Sequence, residues 1–162
     1  MATEPAVSSP PIAQQAVRRE AMAVLTASDT EELDTLLAAA GELPAYRELR
    51  KPESGLLMLR GRISGDGAAF NVGEVTVTRA AVRLASSETG FGYVLGRDHD
   101  KARLIALCDA LIQTERYRSV IESRVIEPIR ARQSAARKLA AQRTAATRVE
   151  FFTLVRGEDT AS

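Results

Sequence analysis

The sequence predicts an α+β fold: an antiparallel sheet of four to five strands with packed N-terminal and central helices and a basic C-terminal helical arm. Three observations carry that expectation. Apolar residues recur at helical spacing before Gly41 and again after Asp98. Between them the period falls to two, and glycine-bearing turns punctuate it. Finally, from Glu127 to Glu150 no acid intervenes while Arg130, Arg132, Arg137, Lys138, Arg143 and Arg148 accumulate.

Residues 1–11 hold Pro5, Pro10 and Pro11 among small side chains and read as a disordered tail, leaving 12–162 as a single domain. A first helix is expected from about Ile12 to Ala27, with Val17, Ala21, Val24 and Leu25 along one face. Ser28 or Asp29 offers an N-cap, and Glu31 and Glu32 are placed for a capping box. Leu33, Leu36, Leu37 and Ala40 then mark a second helix that Gly41 stops. Tyr46 to Arg50 reads as a short strand before Pro52, and Gly55 to Ile63 as another. Ser64-Gly65-Asp66-Gly67 supplies a hairpin turn. Phe70 and Val72 alternate, and Val75 and Val77 resume out of step, which places a bulge at Gly73-Glu74. The β-rich run continues through Thr78, Val82 and Leu84 to a turn at Glu88-Thr89-Gly90, and Phe91 to Leu95 forms the next strand. A helix from about His99 to Gln113 presents Leu104, Leu107, Cys108 and Leu111. A further helical stretch from Glu115 must break or kink at Pro128. Val149 to Val155 reads as a last strand, apolar on both faces and therefore covered.

Composition excludes several function classes. The chain has 162 residues, 45% of them hydrophobic, but no run long enough for a membrane span. Its first residues lack a basic segment followed by an apolar stretch, so no secretory signal is expected. One cysteine, Cys108, precludes an internal disulfide framework and fits a reducing cytoplasm. With one histidine, His99, beside that one cysteine, a closed structural zinc site within the chain is not expected.

A net charge of +1 hides an asymmetry. Residues 1–100 carry ten basic and fourteen acidic side chains, whereas 101–150 carry eleven and five. Arginine supplies nineteen of the 22 cations, and its planar fork suits bidentate pairing with phosphate or carboxylate. An acidic or phosphorylated partner is the expectation. On a helix, however, Arg130 and Arg137 share a row while Arg132 and Arg143 lie nearly opposite, and no aromatics interleave. Nucleic-acid binding by an independent arginine-rich domain is therefore the alternative and not the leading reading.

Catalytic signatures are sparse. His99 sits between Asp98 and Asp100 at a helix start, where an Asp N-cap explains the pattern without catalysis. Cys108 lies within an apolar stripe, with nothing to lower its pKa. Gly61 to Gly67 joins two strands and lacks Gly-Lys-Ser/Thr, so it is neither a phosphate-binding loop nor a dinucleotide fingerprint. The remaining chemical candidates are Arg79, Arg83, Arg97 and Arg156, read as interface or phosphate contacts.

Three blocks carry a resemblance. The first is Val75-Thr76-Val77-Thr78-Arg79-Ala80-Ala81-Val82-Arg83-Leu84. The second is Phe91-Gly92-Tyr93-Val94-Leu95-Gly96-Arg97-Asp98 with Ala106 and Asp109-Ala110-Leu111, and the third runs from Thr147 to Asp159. Together, in this order, they resemble the PhnG family, the small G subunit of the bacterial carbon–phosphorus lyase core complex. The resemblance implies phosphonate utilisation in the cytoplasm beside subunits H, I and J and the ATPase-like subunit L. It implies membership of alpha-D-ribose 1-methylphosphonate 5-triphosphate synthase, a transferase in which methylphosphonate displaces adenine from ATP. ATP is then a substrate of the complex, and no cofactor is expected in this chain. The chain itself has no visible general acid or base, so the implied catalytic residues fall on a partner such as the nucleosidase subunit I. Its own role is expected to be scaffolding.

Overall fold

The computed structural model describes residues 12–63 and 67–146. Five α-helices and three strands run in the order α1 (Ile12–Thr26), α2 (Thr30–Ala39), β1 (Tyr46–Gly61), β2 (Phe70–Leu84), β3 (Thr89–Leu95), α3 (His99–Ile112), α4 (Glu115–Ile121) and α5 (Glu127–Ala146). A π-helical turn, Glu122–Ile126, lies between α4 and α5. The strands form one antiparallel sheet in the order β1-β2-β3. By packing, Met1–Arg130 is one unit, which holds the sheet, and Ala131–Ser162 is a second, which takes most of α5.

The core follows from two alternating strands meeting one apolar helix. Thr78, Ala80, Val82 and Leu84 on β2 and Gly90, Gly92 and Val94 on β3 are buried on one sheet face. Against them α3 buries Ala102 and every residue from Leu104 to Ile112. The approach is close because both surfaces are small. A Cβ at Gly90 would lie 2.0 Å from the Ala106 carbonyl oxygen, and one at Gly92 2.0 Å from that of Ala102. Ala102, Ala106 and Ala110 thus form a shallow row, four residues apart, on which the β3 backbone rests. Leu25 of α1, Leu33 and Leu37 of α2, and Ile121, Val125, Ile126 and Ile129 complete the cluster.

The sheet departs from the expected count: three strands are present among the described residues, not four to five. The two expected strands, Tyr46–Arg50 and Gly55–Ile63, merge into one continuous strand, β1, that ends at Gly61, because bulges absorb the residues that punctuate it. Three β1 steps, from Arg50 to Glu53, oppose two on β2, so Pro52 sits where its missing N–H interrupts no ladder bond. A similar slip at Leu49 lies between Glu48 and Arg50. The bulge expected at Gly73-Glu74 falls one residue earlier: Leu59 opposes Gly73 and Arg60 opposes Asn71, leaving Val72 extra. The expected strand Val149–Val155, the tail 1–11 and Ser64 to Asp66 of the turn lie outside the described residues.

Helix ends show one further correction. Asp29 is the N-cap of α2 in extended conformation, but its side chain makes no capping hydrogen bond, so the Asp29 half of the expected capping box does not form. Ser28 instead donates to the Leu25 carbonyl, and Thr30 donates to Asp98. At Pro128 the chain does not break. The preceding π turn, in which the Glu127 N–H donates to the Glu122 carbonyl, accommodates the proline at the start of α5. Gly41 follows α2 at φ +112°, the left-handed geometry expected of its stop.

Candidate functional site

The single histidine is tied into a relay that assigns its own protons. Thr78 Oγ1 donates to the Gly96 carbonyl at 2.7 Å, which uses its only hydrogen. Ser54 Oγ, 2.9 Å from Thr78 Oγ1, must therefore be the donor there. His99 Nε2 lies 2.9 Å from the same Ser54 oxygen, whose hydrogen is now committed, so Nε2 donates. A histidine activating a serine needs the opposite polarity. Asp98 does not orient the imidazole; it accepts the Lys101 N–H at 2.9 Å as the cap of α3. Burial opposes Asp98 ionisation, but hydrogen bonds from Thr30 and the Lys101 amide prevail and lower its pKa. The Ser54–His99 pair therefore pins β1 to the start of α3.

Cys108 is fully buried, and burial pushes its thiol up to about 12. A neutral thiol of that kind is not a nucleophile. Among the described residues no group of three or more His, Cys, Asp or Glu side chains could hold a metal ion, and no helix is long and apolar enough to cross a membrane.

The arginine candidates separate. Arg79 is neutralised: its Nε donates to Glu53 Oε1 at 2.9 Å, and the same oxygen accepts from Arg50. Arg83 meets no acid among the described residues; its Nε donates to Thr89 Oγ1 at 3.1 Å. Arg97 is exposed and makes no ion pair among them. The structure does not gather Arg79, Arg83 and Arg97 into one constellation, and Arg156 lies outside the described residues. Farther along, Arg130 bonds Glu122 and Glu127, so the first cation of the basic segment is paired with acids.

Two features were not visible in the sequence. The first is a buried lock at the sheet edge. Asp109 of α3, 2% exposed, accepts Arg18 Nε at 2.9 Å and Arg18 Nη2 at 2.7 Å, a bidentate pair spanning 91 positions. The same carboxylate accepts the Phe91 N–H at 2.9 Å, and Gln113 Nε2 donates to the Thr89 carbonyl. These side chains occupy polar groups on the open edge of β3 that would otherwise invite another strand. The carboxylate and its hydrogen bonds in turn hold the Arg18 guanidinium charged, raising its pKa against a smaller desolvation effect.

The second is the outer half of the β1–β2 hairpin. Leu56, Leu57, Met58, Leu59, Ile63, Phe70 and Val72 are all at least 41% exposed. Because consecutive strand residues point to opposite faces, this half is apolar on both. None of its residues is buried. The adjoining outer sheet face continues the surface through Phe91, Tyr93 and Leu95, the last 78% exposed. An apolar area of this extent is characteristic of a protein interface.

The profile of the family described as "Phosphonate metabolism protein PhnG" matches residues 16–157. A protein of Rhizobium meliloti (strain 1021) named "Alpha-D-ribose 1-methylphosphonate 5-triphosphate synthase subunit PhnG" is 46% identical over 144 residues, covering 89% of this chain and 92% of that protein.

Proposed function

Because the chain belongs to the PhnG family of phosphonate-metabolism proteins, we propose that it is a subunit of alpha-D-ribose 1-methylphosphonate 5-triphosphate synthase with an auxiliary, scaffolding role. The observation that carries this reading is the outer hairpin, apolar on both faces and uncovered by any described residue. We read this surface as the seat of a partner chain, and its seven large side chains are each worth roughly 1.5–3 kcal/mol on full burial.

The reaction asks for groups that the described residues do not assemble. Displacing adenine from ATP by methylphosphonate requires leaving-group activation, a held anionic nucleophile and stabilisation of positive charge at the reacting carbon. His99 donates rather than accepts toward Ser54, and Cys108 is neutral and enclosed. We therefore assign the bond-making groups to a neighbour, the nucleosidase subunit I, with H, J and the ATPase-like L as the other partners in the cytoplasm. ATP and the phosphonate are substrates of the assembly, and this chain contributes the surface on which it is built.

Co-expression of the full chain with candidate H, I and J subunits, followed by size-exclusion chromatography, tests the reading. The wild-type chain is expected to co-elute. A Leu57→Asp, Leu59→Asp variant should remain folded, with an unchanged Tm, and leave the complex. A wild-type chain that stays monomeric beside the subunits overturns the proposal. So does a folded variant that assembles normally.

A further inference from the structure

Two arginines face each other across β1 and β2 without an acid between them. Arg47 is the register partner of Arg83, so the two side chains lie directly opposite on the outer sheet face. Like charges in that position repel, and most sheets avoid them. Four residues away the same face shows the ordinary remedy, with the Glu53 carboxylate placed between Arg50 and Arg79. No described residue performs that service for Arg47 or Arg83. Glu48 adjoins Arg47 but pairs with Val82 on the opposite face, and Glu88 accepts from Ser86.

Both arginines line a hollow of about 380 Å³ with Tyr46, Ala85 and Ser87. Its side chains offer donors and no carboxylate. Arg83 is oriented by its Nε bond to Thr89, and its two terminal nitrogens bond no described residue, so they can form a fork. Ser87 has φ 89°, a strained setting for a residue with a side chain, and its hydroxyl has no partner among the described residues. Strain of this sort persists where the surrounding structure imposes it, here a tight turn closed by the Ser87 N–H on the Leu84 carbonyl.

We propose that Arg47, Arg83 and Ser87 form a binding site for a phosphoryl or phosphonyl oxyanion. A tetrahedral dianion supplies what the hollow lacks: negative charge to separate two opposed guanidiniums, and enough acceptor oxygens for both forks and the hydroxyl. A single carboxylate shared between two arginines, as Glu53 is, gives each of them only one hydrogen bond. The site goes beyond the scaffolding reading and does not depend on it. A chain that fails to join any complex should still bind the anion, and a chain that assembles but binds none loses only this site.

The test uses the full chain, titrated separately with tripolyphosphate and methylphosphonate against sodium chloride of equal ionic strength, and read by the arginine Nε–Hε signals and by Tm. A saturable shift of the Arg47 and Arg83 signals, with a rise in Tm, is expected from at least one of the two. Binding by tripolyphosphate alone identifies a nucleotide-type polyphosphate as the source, and binding by methylphosphonate alone identifies a phosphonate. Arg47→Gln and Arg83→Gln should each weaken binding about tenfold or more, with no loss of Tm in the absence of anion because repulsion is relieved. The proposal is overturned if neither probe exceeds chloride, or if the shifts survive in both variants.

Discussion

The two halves of the β1–β2 hairpin use the same strands for opposite purposes. From Thr78 to Leu84 the inward side chains of β2 are buried against α3, and the β3 backbone rests within van der Waals contact of that helix. From Phe70 to Val77 no residue of β2 is buried, and opposite it Gly55 to Arg60 of β1 is exposed throughout. The outer half is nevertheless richer in large apolar residues than a solvated sheet should be. Hydrophobicity alone therefore does not locate the core of this protein. What locates it is the helix behind the strand, and where no helix reaches, the same kind of side chain becomes contact surface.

Glycines provide the sharpest way to break that comparison. Gly92→Ala drives a methyl group into the Ala102 carbonyl, where backbone must move, and is expected to destabilise the fold by about 3 kcal/mol or more, measured by denaturant unfolding. In the outer half, Gly55 and Gly73 have nothing within 4 Å of an added Cβ. Alanine at either position should leave stability unchanged or raise it by roughly 0.5–1 kcal/mol. Equal losses in both halves would mean that the outer half is packed after all.

The next largest effect is expected at the edge lock. Arg18→Ala leaves Asp109 buried with the Phe91 amide as its main donor, a loss of about 3 kcal/mol. The outer face of the sheet gives the contrast: Glu53 and its arginines are about half exposed, and Glu53→Gln should change stability by under about 1 kcal/mol.

Cys108 gives the mildest prediction at neutral pH. Its thiol ionises near 9.0 in the unfolded chain and near 12 in the folded one. Below pH 9 both states are protonated and the contribution is intact. Above it the unfolded chain sheds the proton first, so stability should fall by about 1 kcal/mol per pH unit until the folded thiol also titrates. Cys108→Ala should abolish that alkaline slope, and alkylation of the folded wild-type chain at pH 8 should be negligible.

Much of this architecture was legible in the residues. The apolar stripe of α3 and its Asp98 cap follow from spacing and chemistry at one site, and both are present. The meander from β2 into β3 was legible for the same reason. Pro52 misled because a proline reads as a strand end, whereas two bulges let β1 pass through it. The Arg18–Asp109 lock left no local trace, since its partners lie 91 positions apart and neither is unusual where it stands. The opposition of Arg47 to Arg83 depends on register, which the bulges set. Of the arginines singled out by sequence, Arg83 retains a candidate role in anion binding, while Arg79 is held by Glu53.

Deuterium exchange on the assembled complex reads whether the outer hairpin is the buried contact surface. Peptides covering residues 54–63 and 70–77 are to be compared between the isolated chain and the complex with its partner subunits. Slowed uptake confined to these segments and the adjoining β3 face is expected, with the β2–α3 core unchanged. Identical uptake in the outer hairpin, with protection appearing elsewhere on the chain, would contradict the account.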